Sequence, residues 1–338
     1  MSASSAADWS RVRLHVVTGK GGTGKSTVAA ALALGLASRG KQVLLCEVEG
    51  RQGIARMFDV DPLPYAERRV ATGLPAADGA RAGVVHALHI DPESALMEYL
   101  SMYYKLGRAG RALDRFGVVE FATTIAPGVR DVLLTGKVYE ATLRSARNKG
   151  AIEYDAVVLD GPPTGRITQF LGVNSELSGL AKVGPIKSQA DKVMRLLTSE
   201  QTVVHLVTVL EEMPVQETVD GITDLRTHGL PVGGVVVNLV RPRELGDKAL
   251  AAVRKGKVDT AAVTADLKRA GLDADDALLD GLLAEARDHA ERRALEDEQH
   301  EVVAGLDVPT YELPRLTAGI DLGALYELAG MLRDQGMV

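Results

Sequence analysis

The sequence predicts an α/β protein with a doubly wound, mostly parallel β-sheet, and two observations lead to this fold class. Short apolar runs alternate with helical patterns along the chain, which is the order of strands and crossover helices in a parallel sheet. Aromatic residues make up only 4% of the 338 residues. Alanine, leucine and valine must therefore fill most of the core, as is usual where helices cover both faces of a sheet.

Five apolar runs are the strongest strand candidates. They lie at residues 13–18, 41–49, 154–160, 202–210 and 232–238. Helical patterns separate them, most clearly at 26–40, which is rich in alanine, and at 214–228. The run VVHALHID predicts a further strand with His86 and His89 on opposite faces, and His15 lies inside the first strand. We expect ordinary structural positions for these histidines, because no metal-ligand cluster or Ser-His-Asp set accompanies them.

Two stretches depart from the alternation of strands and helices. Residues 92–148 and 243–304 carry helical patterns without a convincing strand, so we expect both to be helical insertions that form a helical subdomain. In the second insertion one helix side carries Leu278, Leu279, Leu282, Leu283 and Ala286. We expect residues 1–338 to form a single domain. Residues 62–83, rich in proline, glycine and alanine, predict an exposed and mobile loop.

Composition and charge argue against several classes of protein. The formal net charge is −6, from 45 acidic and 39 basic residues, which argues against nucleic-acid binding. The single cysteine, Cys46, can form no internal disulfide and no C-x-x-C metal site, and indicates a reducing compartment. The sequence has no apolar run of about 18 residues and no apolar segment of a secretory signal. We therefore expect a cytoplasmic protein without stable membrane insertion, and peripheral contact with a membrane stays open.

The clearest motif is VVTGKGGTGKSTVAAAL at residues 16–32, which matches G-x-x-x-x-G-K-[ST]. A predicted strand precedes it and a predicted helix follows it, which is the context that a phosphate-binding P-loop needs. Its glycines let backbone N–H groups cradle phosphate oxygens, Lys25 neutralises phosphate charge, and the Ser26 hydroxyl is placed to bind Mg²⁺. The candidate nucleotide-binding residues here are Gly19, Gly21, Gly22, Thr23, Gly24, Lys25, Ser26 and Thr27.

A second motif supplies a carboxylate for the cation. In YDAVVLDGPPTGR four apolar residues lead to Asp160 at the predicted carboxyl end of a strand, where a doubly wound sheet binds its ligands. We expect Asp160 and Ser26 to hold Mg²⁺, with residues 161–165 facing the terminal phosphate. The alternative is that Asp160 caps the turn that follows the strand.

Lys20, directly after the first glycine, is not required by an ordinary P-loop. The stretch GKGGTGKST resembles the deviant P-loop of dimeric ATPases that carry a signature lysine, among them the nitrogenase iron protein and the Min and Par ATPases. This resemblance implies that Lys20 reaches the nucleotide of the partner protomer, as an arginine finger would. The alternative is a surface lysine on a loop.

Further motifs indicate one branch of these ATPases. DGPPTGRITQFL (160–171) resembles the switch loop of the arsenite-efflux (ArsA) and GET-pathway targeting ATPases, and MPVQETVDGITDLRTHGLPVGGVVVN (213–238) and VPTYELPRLTAGI (308–320) are also similar to that family. The resemblance implies that Asn238 reads adenine and that Pro314 lies beside the base. It also implies a dimer that binds ATP or ADP with Mg²⁺, hydrolyses ATP and couples nucleotide state to a helical subdomain.

The sequence departs from this family at its first switch segment. Aligning VLLCEVEGRQGIARMF with the family places Glu49 where an aspartate orients the attacking water, and puts Gly50 and Gly53 where proline and asparagine are usual. Arg166 stands where histidine is usual. A shift of about 1 Å in a catalytic group can cost on the order of a hundredfold in rate. We expect Lys20, Lys25 and Glu49 to be the catalytic residues, with slow hydrolysis.

The partner remains open at this stage. The chain could form a homodimer, or pair with a paralogous ATPase as a weakly active regulatory subunit. It could also carry an apolar helical client, such as a tail-anchored membrane protein, on the stretch SALMEYLSMYYKLG (94–107). The alternative for that stretch is ordinary helix packing. Arsenite binding is not expected, because a single cysteine cannot form the several-thiol site of arsenite pumps.

Overall fold

The computed structural model describes residues 9–49, 52–75, 79–104, 128–145, 151–180, 185–273 and 275–338. Eight strands in these ranges form one sheet: β1 Leu14–Gly19, β2 Gln42–Glu47, β3 Arg68–Thr72, β4 Val84–His89, β5 Ala156–Asp160, β6 Thr202–Thr208, β7 Val232–Val240 and β8 Thr310–Pro314. Their order across the sheet is β3-β4-β2-β5-β1-β6-β7-β8. Only the β3–β4 pair is antiparallel.

Helices cover both faces of this sheet. The described residues contain α1 Lys25–Leu36, α2 Gly53–Met57, α3 Pro92–Tyr104, α4 Val129–Leu143, α5 Thr164–Leu180, α6 Pro185–Leu197, α7 Glu212–Thr227, α8 Asp247–Arg254, α9 Thr260–Arg269, α10 Asp276–Ala304 and α11 Leu322–Asp334. On one face α1, α2 and α11 pack together, and on the other α4, α5, α6 and α7 do. Neighbouring strand residues such as Leu44 and Leu45 join opposite cores, as the alternation of side chains in a strand requires. The predicted fold class is confirmed.

The five predicted strands are all present, within a few residues of their predicted ends. The predicted helix at 26–40 ends earlier, at Leu36, and the chain turns with Gly40 at φ +78°. The strand expected from VVHALHID is β4.

The prediction of an exposed and mobile loop at 62–83 was wrong for its centre, where β3 pairs with β4 at the edge of the sheet. The first two residues of β3, Arg68 and Arg69, are exposed. Charged side chains are common on edge strands, which need no apolar run because only part of the strand is buried. The sequence pattern therefore hid this strand.

The insertions are helical where the structure describes them. The first contains α3 and α4, and the intervening residues 105–127 lie outside the described ranges. The second contains α8, α9 and α10, and α10 packs on α8 through Leu250, Val253 and Ala290. On the leucine side of α10, Leu278 and Leu282 are exposed. None of the helices in the described part of the chain combines the length and apolar character that a membrane span requires.

Candidate functional site

The glycine loop joins β1 to α1 in the centre of the sheet, and two of its glycines are required by close contacts. A Cβ on Gly19 would lie 2.2 Å from the Val207 carbonyl oxygen, and a Cβ on Gly24 would lie 2.3 Å from the Asn238 amide nitrogen. Gly24 also has φ +87°, a conformation that costs other residues about 1–2 kcal/mol. The backbone of the loop can take this shape only with glycine at both positions.

Hydrogen bonds hold the loop in place from β7. Asn238 is buried at the end of that strand, and its Nδ2 donates to the Thr23 carbonyl oxygen at 2.9 Å. Thr23 is buried as well, and its hydroxyl donates to the Lys20 carbonyl oxygen at 2.9 Å. Asn238 therefore contacts the loop directly.

A large cavity joins the glycine loop to the residues expected near the base. The cavity of about 1170 Å³ is lined by Lys20, Gly21, Gly22, Thr23, Gly24, Thr27, Asn238 and Pro314, together with residues of α10. Its volume slightly exceeds the roughly 300–1,000 Å³ of ordinary ligand pockets. The structure thus brings five of the eight predicted loop residues and both residues expected near the base to one cavity, whereas Gly19, Lys25 and Ser26 do not line it. Lys25 begins α1 at the end of the loop, and Ser26 follows it.

The cavity also has residues that the sequence reading missed. Arg241, Arg292 and Glu296 line it, and Arg241 and Glu296 form an ion pair at 2.8 Å. This pair attaches α10 to the segment after β7. No sequence motif marks these residues, because two distant elements bring them together.

Ser26 and Asp160 meet beside the glycine loop. The Ser26 hydroxyl donates a hydrogen bond of 2.6 Å to Asp160 Oδ2, and Asp160 ends β5 opposite Val17 of β1. The pKa of Asp160 is raised to about 6. Burial is the largest cause, the bond from Ser26 and the charge of Lys25 oppose it, and the negative charges of Glu47 and Glu49 add to the rise. Among the described residues its Oδ1 atom has no hydrogen-bond partner. The bond to Ser26 favours a cation site over a cap on the following turn.

This pair fits a magnesium ion. A serine hydroxyl and a buried carboxylate with an unpaired oxygen are ligands that Mg²⁺ prefers, and Mg²⁺ commonly completes its shell with phosphate oxygens and water. Within the described ranges no group of three His, Cys, Asp or Glu side chains could hold a metal ion. Ser26 and Asp160 would therefore hold Mg²⁺ together with a bound nucleotide.

Glu49 faces a second, smaller cavity between the segment after β2 and the loop after β5. The cavity of about 180 Å³ is lined by Val48, Glu49, Arg130, Asp131, Leu134, Pro162, Arg166 and Phe170. Arg166, at the family's histidine position, forms an ion pair with Asp131 of α4 at 3.7 Å. On the other side of the loop after β5, the Thr18 hydroxyl donates to the Pro162 carbonyl oxygen at 2.7 Å. These contacts connect β1, this loop and the first helical insertion. Gly50 lies outside the described residues.

Glu47 is a buried carboxylate that the sequence reading missed. It ends β2, only 2% of its surface is exposed, and its Oε1 accepts a hydrogen bond from the Gly53 N–H at 2.8 Å. Its Oε2 lies 3.6 Å from His89 Nδ1 and has no hydrogen-bond partner in the part of the chain that the structure describes. A usable signal was present, because Glu47 directly follows the apolar run VLLC.

Lys20 forms an ion pair with Glu217 of α7, in its own chain. Both side chains are about one-third exposed, at 31% and 34%. Nothing in the sequence singles out Glu217, which lies 197 residues from Lys20. The Lys20 side chain therefore has an ion-pair partner in its own chain, and it also lines the large cavity.

The apolar stretch at 94–107 is described in part. Residues 92–104 are helical, and Leu96 packs against the core. Tyr99, Leu100, Met102, Tyr103, Tyr104 and Leu106, on which the client prediction rests, have side chains outside the described residues.

A backbone loop that ends in Lys25 and Ser26, with a carboxylate on the neighbouring strand, is the way P-loop nucleotide-binding proteins hold phosphate and a cation. The chain is of this class, and its relatives narrow the class to one family. Residues 12–200 match the model of a family described as "Anion-transporting ATPase". The chain belongs to this family of ArsA-type ATPases.

Two relatives illustrate different degrees of sequence identity to this chain. ATPase BagA of Mycobacterium tuberculosis is 54% identical over 328 residues, which cover 97% of this chain and 94% of the relative. A Chlorobaculum tepidum protein named "Putative arsenical pump-driving ATPase" is 26% identical over 267 residues, which cover 67% of this chain and 61% of the relative.

Proposed function

We propose that this chain is a Mg²⁺-dependent, dimeric switch ATPase of the cytoplasm, in which nucleotide state controls the helical insertions. The observation that carries this proposal is the hydrogen bond between Ser26 and Asp160 beside the glycine loop, whose residues line one cavity together with Asn238 and Pro314. Phosphate, cation and base can then bind in one continuous site.

The side chains suit separate tasks in such a site. Lys25 neutralises phosphate charge, Ser26 and Asp160 hold the cation, and Glu49 orients the attacking water. Bound Mg²⁺ supplies positive charge that stabilises the phosphate oxygens during phosphoryl transfer. Lys20 completes the site of the partner protomer.

The contacts around the loop after β5 support a switch. This loop is tied to β1 through Thr18 and Pro162, and its helix α5 is tied to α4 through Arg166 and Asp131. A change in the loop on ATP hydrolysis therefore reaches the first helical insertion through a short chain of contacts.

Turnover of Mg-ATP by the purified chain, measured as a function of its own concentration, tests this function. The proposal predicts a specific rate that rises with protein concentration, and a Lys20→Ala variant that stays inactive at every concentration. A specific rate independent of concentration over the range in which the chain dimerises would contradict the dimeric site.

A second candidate is a regulatory subunit that binds ATP and pairs with a paralogous ATPase. Two observations favour it: Glu49 is one methylene longer than the family's aspartate, and Lys20 is held by Glu217 of its own chain. This candidate predicts tight ATP binding with negligible turnover by the chain alone, and turnover that appears only on mixing with the paralogue. An apolar helical client remains a further prediction, and failure of any apolar helix to co-purify would count against it.

A further inference from the structure

The two carboxylate oxygens of Glu47 differ in their hydrogen bonding. Its Oε1 accepts the Gly53 N–H at the start of α2, while its buried Oε2 has no hydrogen-bond partner within the described ranges. Burying a carboxylate is costly unless it is paired or binds a cation. The only nearby cationic candidate among its contacts in the described residues, His89 Nδ1, lies 3.6 Å from Oε2 and carries charge only when protonated.

Asp160 stands next to Glu47 at the same edge of the sheet. The two residues are register neighbours at the carboxyl ends of β2 and β5. Each is more than nine-tenths buried, and each has one oxygen that no described residue hydrogen-bonds. Their carboxylates are close enough to act on each other electrostatically. Two such groups side by side repel one another, and a divalent cation between or beside them removes that repulsion.

We propose that Glu47 is a second carboxylate of the cation site formed by Ser26 and Asp160. This inference rests on the proposed function. Glu47 would add a negative charge and an oxygen ligand, directly or through water, for a divalent cation of the Mg²⁺ or Mn²⁺ type. Because its other oxygen holds Gly53, the same residue links cation binding to the segment between β2 and α2, which carries Glu49.

Mn²⁺ affinity for the ADP-bound protein, measured by electron paramagnetic resonance, tests the role of Glu47. Glu47→Gln keeps a carbonyl oxygen for the Gly53 N–H but removes the charge, so we expect its Mn²⁺ affinity to fall about 10–100-fold. ADP affinity measured in EDTA should be unchanged or higher, because a charge near the phosphates is gone. Asp61→Asn, which removes one carboxylate charge at an exposed position, is the matched control, and its Mn²⁺ affinity should stay within a few-fold of the wild type.

Each outcome has one meaning. Equal Mn²⁺ affinity in Glu47→Gln and wild type, with ADP bound in both, would overturn the inference and leave Glu47 as a partner of His89 and Gly53. Absence of ADP binding to the wild type would instead overturn the proposed function.

A measurement on the wild type covers the case in which Glu47→Gln does not fold. Hydrogen exchange of the Gly53 amide should slow when Mn²⁺ is added to the ADP-bound protein, because the cation fixes the carboxylate that accepts this N–H. Exchange that is the same with Mn²⁺ and with EDTA would count against the link.

Discussion

Lys20 of the glycine loop and Glu217 of α7 form an ion pair within one chain. If Lys20 serves the partner's nucleotide, this pair must break when the dimer closes. Partly exposed ion pairs contribute about 0–1 kcal/mol, so the pair can hold the lysine in the single chain without preventing its transfer to a partner. Glu217 then acts as a resting position for Lys20.

Removing this resting position should favour the closed dimer. We expect Glu217→Gln to lower the protein concentration that gives half-maximal turnover by up to about thirtyfold, because closing the dimer breaks two such pairs of at most about 1 kcal/mol each. Asp220→Asn removes the same charge one turn along α7, where Asp220 contacts Gln216 and not Lys20. It should leave the concentration dependence unchanged. Identical curves for Glu217→Gln and wild type would show that the pair does not restrain Lys20.

Glu49 should be needed for hydrolysis and not for nucleotide binding. Glu49→Gln keeps the size of the side chain but cannot accept the proton of the attacking water, so we expect turnover to fall about 10²–10⁴-fold. ATP affinity, measured by equilibrium binding, should stay within a few-fold of wild type. Turnover close to that of the wild type would place the water-orienting group elsewhere.

The glycine loop offers a matched pair of substitutions. Gly24→Ala would bring its Cβ against the Asn238 amide at a positive φ, so we expect loss of ATP binding and a free energy of unfolding lower by about 1–3 kcal/mol. Gly21 has open space around its Cβ position. Gly21→Ala should therefore unfold at the same urea concentration as the wild type. Equal stability of Gly24→Ala and wild type would contradict the close contact between the loop and β7.

A buried histidine pair predicts how stability depends on pH. His205 Nδ1 accepts the Gly234 N–H at 3.1 Å, so its Nε2 carries the proton and donates to His15 Nδ1 at 3.1 Å. Burial lowers the pKa of His205 to about 3, and burial together with the charges of His205 and Lys41 lowers the pKa of His15. Both rings are therefore neutral in the folded protein near neutral pH.

In the unfolded chain both histidines take up protons as the pH falls below about 6.5, while the folded protein does not. The contribution of this pair to the free energy of unfolding should therefore be constant above about pH 6.5. Below that pH it should fall by up to about 2.7 kcal/mol per pH unit. Urea unfolding at pH 7.5 and 5.5 measures this slope. The double variant His15→Gln, His205→Gln should lose most of this pH dependence. An unchanged slope in that variant would contradict the assignment of both rings as neutral in the folded protein.

The sequence predicted correctly those features whose identifying residues all lie in one continuous segment. The P-loop, Asp160 and the central strands are continuous motifs or apolar runs, so their types and positions could be predicted. The strand β3 was not predicted, because an edge strand with Arg68 and Arg69 lacks an apolar pattern. Three residues of distant helices were also not predicted: Glu217, Arg292 and Glu296. Only the packing of α7 and α10 places them at the site, and the sequence pattern does not specify that packing.

Complementation between two inactive variants tests the central claim, a lysine acting across the dimer, most directly. In a mixed dimer of Lys20→Ala and Glu49→Gln, the site of the Lys20→Ala protomer keeps its own Glu49 and receives Lys20 from the Glu49→Gln protomer. An equal mixture should therefore recover about a quarter of wild-type turnover, since half of the dimers are mixed and each has one complete site. Turnover of the mixture no higher than that of the separate variants, with mixed dimers formed, would contradict the account.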